Sequence, residues 1–399
     1  MVKNKKYVAV GALCVAVVTA LSACNDNGNA SLQKGAAEAN AMQAGKLTDY
    51  GESHLPRLAE KLRHSQSELT HIVFLGDSHT AADFFSGSLR QHFQSVYGDG
   101  GAGFISPMAV PGNRYSNVYF QNTYGLKLVT SRRDKNPDFT LGGNIVTPVS
   151  SNNGAQVVVR APQGREQVQA LYASPSAGQW SVNGAKYALA ATGNGWAFSQ
   201  PVTVGSTFSW SMSTAAPTAL AGLMLTSTNG HGVVLSALGI NGAQVSMLDK
   251  WQNNWGGALK QLAPDMVILA YGTNEAFNTD LSLEAYRQTL QRQIETIRQS
   301  TPDAAILLIG PGSSIMHKQG QGCAQRQPAL LKPIIAVQQQ VARQERTLFW
   351  NWFDFMGGDC AIERWAAQGK ARPDLIHLAS EGYQESANAL FGDLSAVLK

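Results

Sequence analysis

The sequence is poor in charge, poor in cysteine and, after its first two dozen residues, without a long hydrophobic run. Asp, Glu, Lys and Arg make up only 15% of its 399 residues. With Lys3, Lys5 and Lys6 of the leader set aside, 28 basic residues face 27 acidic ones. No basic surface of the kind a nucleic-acid partner requires is indicated. The few cysteines and histidines form no HExxH and no cluster with ligand spacing, so nothing points to a metal, and no organic cofactor is called for. A GxGxxG at Gly98, Gly100 and Gly103 has no strand leading into it and no clear helix after it, which discounts a dinucleotide site.

What is present begins with a targeting segment. Lys3, Lys5 and Lys6 form a positive n-region, and Tyr7 to Leu21 is an apolar stretch short for a membrane span. It ends in Leu21-Ser22-Ala23-Cys24, which resembles the lipobox of bacterial lipoproteins. That resemblance implies a signal peptide over residues 1–23 and a lipid on Cys24. A plain signal peptide or an uncleaved anchor would equally take the chain out of the cytoplasm. Residues 24–45 are small, polar and without apolar periodicity, as a flexible tether would be. Cys323 and Cys360 remain. In an oxidising envelope such a pair is most simply a disulfide, with a zinc site as the rival.

Two patterns alternate along the mature chain. Apolar runs at 72–75, 233–238, 266–271, 304–310 and 347–353 each end in small or polar residues. Helical stretches lie between them, one carrying Leu283, Tyr286, Leu290, Ile294 and Ile297 on a single face. Continuous apolar strands alternating with amphipathic helices predict a doubly wound parallel sheet in a three-layer α/β/α domain. Between Thr140 and Gly230 the only charged residues are Arg160, Arg165, Glu166 and Lys186, and short strand-like runs alternate with turn residues. That predicts an inserted β-sandwich, with Trp180, Trp196 and Trp210 read as core before sugar-stacking surface. The expected division is therefore an α/β domain over 46–105 and 231–399, interrupted by a β-rich module over 106–230.

Strand ends in a doubly wound sheet share one edge, where ligands bind. Four blocks fall at such ends or late in the chain: Gly76-Asp77-Ser78, Gly239-Ile240-Asn241-Gly242, Gly272-Thr273-Asn274-Glu275 and Asp374-Leu375-Ile376-His377. In this order they resemble the SGNH hydrolases, the GDSL-like esterases and lipases. The resemblance implies Ser78 as nucleophile, His377 as general base and Asp374 as the residue orienting it. It also implies Ser78, Gly242 and Asn274 as the oxyanion hole. The chemistry is coherent without the name. A serine hydroxyl needs a base to take its proton, and Asp-x-x-His puts carboxylate and imidazole on one turn. His79 reads as a pocket or packing residue, Asp77 as a local backbone acceptor, and Glu275 as a lone carboxylate that makes no glycosidase pair.

The stretches GDSHTAADFFSGSLR, YGDGGAGF, PDMVILAYGTNEA and DLIHLASEGY, with 164 positions between Ser78 and Gly242, are similar to the peptidoglycan O-acetylesterases of Gram-negative bacteria. That subgroup also carries a carbohydrate-module-like insertion. The resemblance implies a cofactor-free serine esterase that removes 6-O-acetyl groups from N-acetylmuramoyl residues. Its partner would be O-acetylated peptidoglycan, and it would sit in the periplasm, lipid-anchored to the outer membrane. An acetyltransferase, a general carbohydrate or lipid esterase and a non-catalytic glycan-binding lipoprotein stay open on the residues alone.

Overall fold

The computed structural model describes residues 42–135, 138–160, 164–251 and 254–399. The leader, Cys24 and tether residues 24–41 lie outside the described residues. The larger sheet contains β1 (Met42–Ala44), β2 (Leu47–Asp49), β3 (Leu69–Gly76), β4 (Gly232–Gly239), β5 (Met266–Ala270), β6 (Ala305–Ile309) and β7 (Leu348–Trp350). Its spatial order is β1-β2-β7-β6-β5-β3-β4. Pairing from β7 across to β4 is parallel, as the unbroken apolar runs predicted. The sequence did not reveal the antiparallel hairpin β1–β2 on the outer edge. Residues 42–44, expected in the tether, pair there because Leu47 is fully buried and Asp393 accepts a hydrogen bond from the Lys46 N–H.

Alternation along β3 divides the core. Val73 and Leu75 face the helices Asn254–Leu262, Leu283–Ser300 and Leu331–Glu345. Ile72 and Phe74 face the helices Leu55–Arg63, Phe85–Tyr97 and Ser380–Val397. The result is the expected three-layer α/β/α domain. Burying a side chain such as Phe74 or Ile268 contributes roughly 1.5–3 kcal/mol. The predicted stripe is observed in the helix Leu283–Ser300, which buries Tyr286, Leu290, Ile294 and Ile297. Cys323 and Cys360 form a disulfide with Cα atoms 5.8 Å apart across 37 positions. A loop of that length stabilises by about 4 kcal/mol in the chain-entropy description. Among the described residues no helix is long and apolar enough to cross a membrane.

The insertion is a two-sheet β-module. One sheet runs in the order Ala185–Leu189, Gly178–Val182, Thr207–Met212, Gly154–Val159, Val118–Tyr124. The other is centred on Arg165–Ala173 and Ala219–Ser227. It also includes Gly103–Ile105, which the sequence grouped with the α/β domain but which pairs with Leu223–Leu225. Trp180 and Trp210 are buried in the module core, whereas Trp196 is half-buried against the α/β core.

Polar side chains weld the module to the α/β domain. Ser236 Oγ in β4 accepts from the Phe104 N–H and lies 2.8 Å from His71 Nε2 in β3. Burial pushes the His71 ring down to about 4, so it is neutral and accepts the Ser236 proton. Arg90 and Asp83, both nearly inaccessible, form a two-pronged ion pair. Arg90 Nε also donates to Leu235 O, and Asp83 Oδ2 accepts from the Ser116 N–H. Burial alone would push the Asp83 carboxyl up, but the Arg90 guanidinium and the Ser86 and Ser116 donors hold it below its usual value.

Glu166 sits at the same joint in a poorer setting. It is 2% exposed, and its Oε2 meets no hydrogen-bond partner among the described residues. Burial first, and the charge of Asp99 second, push its carboxyl from 4.5 up to about 8, against the Ala102 N–H. The folded state therefore holds this proton more tightly than the unfolded chain. Its contribution to stability is complete below the unfolded value and is lost as pH rises through the folded one. Glu166→Gln should thus flatten the decline of the urea midpoint between pH 5 and pH 8, both taken as approximate limits of that window. A variant with the wild-type slope would contradict this assignment.

Candidate active site

The site is built on the carboxyl edge of the parallel sheet, starting at Gly76. A Cβ there would lie 2.1 Å from Thr80 Oγ1 and 2.9 Å from Ala270 O. Only glycine lets the chain turn this tightly over the neighbouring strand. Asp77 follows, and its Oδ1 accepts from the His79 N–H, capping the short helix α1 (Ser78–Ala81). Across the sheet, a Cβ on Gly239 would fall 2.0 Å from Ala81 N. The turn carrying Ser78 therefore rests directly on the backbone at the end of β4.

His377 comes from the other end of the sequence and meets Ser78 there. Ser78 Oγ lies 2.9 Å from His377 Nε2, and His377 Nδ1 lies 3.0 Å from Asp374 Oδ2. The opposite carboxylate oxygen, Oδ1, accepts from the N–H groups of Ile376 and His377. This fixes the tautomer: Nδ1–H donates to Asp374, leaving Nε2 to accept from the hydroxyl. Partial burial pushes the Asp374 carboxyl up, but the two backbone donors and the imidazole outweigh it and hold the group below its usual value. The turn is tight enough to force Leu375 to φ 59°, with its carbonyl held by the Ile315 N–H.

The two other loops flank Ser78. Ile240 to Ala243 is a turn closed by the Ala243 N–H to Ile240 O, with Gly242 at φ 76°. The Gly242 N–H finds no protein acceptor among the described residues. Asn274 Nδ2 donates to Ala243 O at 2.9 Å and lies 3.4 Å from Asp77 Oδ2. Glu275 stands behind both loops, accepting from the N–H groups of Val245 and Gly272. It is a loop organiser, which explains a carboxylate with no catalytic partner.

His79 and Asp77 support the site from below. His79 is buried, its Nδ1 is 2.8 Å from Tyr383 Oη, and its ring centre is 5.2 Å from that of His377. Burial, then the proximity of His377, push it down to about 3, so it is a neutral backing for the half-buried imidazole of His377. Burial pushes Asp77 up to about 8 and Glu275 up to about 7. Backbone donors oppose the shift in both, and the charge of Glu275 adds to it in Asp77.

Sequence reasoning missed the contribution of the module. Its loop over residues 106–114 clamps onto the site: the Arg114 N–H donates to Ala81 O, Asn113 Nδ2 to Gly239 O, and Asn241 Nδ2 to Gly112 O. Ser78 and His377 open into a cavity of about 470 Å³ whose walls include Gly112, Asn241, Arg372 and Tyr383. No periodicity or motif marked residues 106–114, because their role depends on a contact made across the fold. Among the described residues no group of three or more His, Cys, Asp or Glu side chains could hold a metal.

Gly239→Ala should leave the circular dichroism of the fold intact while displacing Ser78, and hydrolysis of a small aryl acetate should fall about 100-fold. A variant with near wild-type turnover would show that the contact at Ala81 is not what places the hydroxyl. Asp77→Asn keeps an acceptor for the His79 N–H, whereas Asp77→Ala removes the cap at about 1 kcal/mol. Urea unfolding should separate the two by that amount; equal losses would remove the capping role.

Known proteins bear on this geometry. Residues 100–203 match the profile of the peptidoglycan O-acetylesterase N-terminal family, and residues 203–385 that of the GDSL-like lipase/acylhydrolase family. No curated protein matched the sequence. A solved structure of a peptidoglycan O-acetylesterase superposes with a TM-score of 0.79 at 32% identity, covering 89% of this chain and 99% of that one. A family two carbohydrate esterase from Cellvibrio japonicus aligns over 70% of this chain and 98% of its own, at 12% identity and a TM-score of 0.31, too loosely to bear on this one. With a 32% identical relative covered almost end to end, the chain belongs to the peptidoglycan O-acetylesterase family, carboxylic ester hydrolases built on a GDSL-like acylhydrolase domain.

Proposed function

We propose that this enzyme hydrolyses the acetyl ester on the C6 hydroxyl of N-acetylmuramoyl residues in peptidoglycan, with Ser78 as nucleophile. The observation that carries the reading is the relay from Ser78 Oγ through His377 to Asp374, 2.9 and 3.0 Å long, at the mouth of an open cavity. His377 takes the Ser78 proton as Oγ attacks the acetyl carbonyl, and Asp374 stabilises the imidazolium that forms. The collapsing intermediate releases the sugar oxygen, which takes the proton from His377. Water, deprotonated by the same imidazole, then cleaves acetyl-Ser78 to acetate.

The negative charge on the carbonyl oxygen falls to the N–H groups of Ser78 and Gly242 and the Nδ2 of Asn274. The unpaired Gly242 N–H supports that role, and Asn274 Nδ2, anchored on Ala243 O, would exchange its long 3.4 Å contact with Asp77 for the oxyanion. Each such donor is worth about 2.7–4 kcal/mol of barrier. The helix α1 is too short to contribute much dipole, so these donors carry the stabilisation.

Acting on peptidoglycan places the enzyme at the cell wall. The finer location we propose is the periplasmic face of the outer membrane, reached through the leader 1–23, a lipid on Cys24 and a tether that ends before the strand Met42–Ala44. In the domain division we favour, the hydrolase spans 42–102 and 231–399 around the module 103–230, since Gly103–Ile105 pairs in the module sheet and residues 42–49 in the larger one.

Purified protein should release acetate from O-acetylated peptidoglycan faster than from acetylated xylan. Ser78→Ala should lower that release by at least about 1000-fold, the scale expected when a triad member is lost. Release that survives the substitution would refute the assignment.

A further inference from the structure

A second cavity, of about 400 Å³, adjoins the catalytic one and is not used by the ester chemistry. The two share Asn241, and the loop residues Gly112 and Asn113 divide them, one lining each. Module and hydrolase build it together: Met108 and Leu128 form an apolar wall with Ile240, while Arg132 and Arg133 stand at its rim. Both arginines are exposed, and neither guanidinium has a hydrogen-bond or ion-pair partner among the described residues. Among the described residues lining the cavity the one carboxylate, Asp134, accepts from the Thr130 N–H, leaving two cations to one acid. Arg132 lies beside the dividing wall, since a Cβ on Gly112 would come 4.0 Å from its Nη1. Charge is placed here against the trend of the module: between Ser106 and Phe139 five basic residues face two acidic ones, in contrast to the charge-poor stretch that follows.

We infer that this cavity is a subsite for the carboxylate-bearing lactyl arm of the muramoyl residue, with Arg132 as its specificity-determining contact. The inference rests on the peptidoglycan reading above and deepens it. A muramoyl ring carries its C6 ester and its C3 lactyl ether on opposite edges. With the acetyl group at Ser78, the ring lies over the dividing wall and the C3 arm enters the neighbouring cavity. The lactyl methyl meets the apolar wall. The carboxylate, either free on the lactyl group or displaced along an attached peptide, meets a guanidinium whose planar fork matches it. A glucosaminyl acetate has no such arm, so the subsite would select the muramoyl ester.

The test uses the full mature enzyme, Arg132→Ala and Arg132→Lys on three substrates. These are O-acetylated muropeptides with intact peptides, the same glycans with peptides removed by an amidase to expose the lactyl carboxylate, and neutral 4-nitrophenyl acetate. For Arg132→Ala, the kcat/KM ratio of carboxylate-bearing to neutral substrate should fall about tenfold through KM, with partial recovery in Arg132→Lys. Added salt should raise the wild-type KM on the anionic substrates and flatten that difference. A loss confined to the amidase-treated glycan identifies the lactyl carboxylate as the ligand, and one confined to intact muropeptides identifies the peptide. An unchanged ratio, with wild type active on the glycan, overturns the subsite alone. Wild type that cleaves the aryl acetate but no muramoyl ester overturns the function and the subsite with it.

Discussion

Register across the parallel strands is the constraint on which the active site depends. Gly239 of β4, Gly76 of β3, Ala270 of β5 and Ile309 of β6 are aligned as successive partners, with Trp350 of β7 at the end of the row. Each loop that leaves this row starts from the same line, so residues far apart in the chain emerge side by side. A one-residue slip of β3 would exchange Val73 and Leu75 with Ile72 and Phe74 between two packed helical layers. The hydrophobic core thus fixes the position of Ser78 to within one peptide unit. The glycines at 76 and 239 complete the constraint by allowing the nucleophile turn to sit on backbone.

Around that edge the ionisable groups separate by environment. His377, which opens into the cavity, and Asp374 behind it are partly exposed and joined by a direct side-chain hydrogen bond. Those directly beneath them, His79, Asp77 and Glu275, are buried and shifted away from the charged form. Burial keeps His79 and Asp77 neutral at neutral pH and leaves Glu275, at about 7, only partly ionised, so little charge competes beside the imidazole. The β-module supplies the opposite wall, anchored through the Arg90–Asp83 pair and the His71–Ser236 bond. It belongs to the same rigid edge as the catalytic loops because its 106–114 segment bonds to Ala81, Gly239 and Asn241.

Much of this was legible in the residues, for identifiable reasons. Unbroken apolar runs such as 266–270, alternating with one-sided stripes such as Leu283 to Ile297, match strands covered on both faces by helices. The hairpin at 42–49 was not legible, because its three-residue strands carry no periodicity and gain their place from Leu47 and Asp393. Nor was the assignment of Gly103–Ile105 to the module sheet, since an apolar triplet does not reveal which sheet it completes. Trp196 differs from Trp180 and Trp210 only through where its loop falls against the other domain.

By itself, the sequence determined the succession of the parallel strands along the chain, the chemical identity of the groups at their ends and the charge-poor character of the insertion. Each of these depends on local pattern. Only the tertiary structure decided which groups meet: that imidazole 377 reaches hydroxyl 78, that His79 faces Tyr383 while Asp77 turns to Asn274, and that the 106–114 loop walls the cleft. The reason is that these are contacts between segments separated by up to about three hundred positions, and their geometry follows from sheet register and domain packing, which no local stretch of chain encodes.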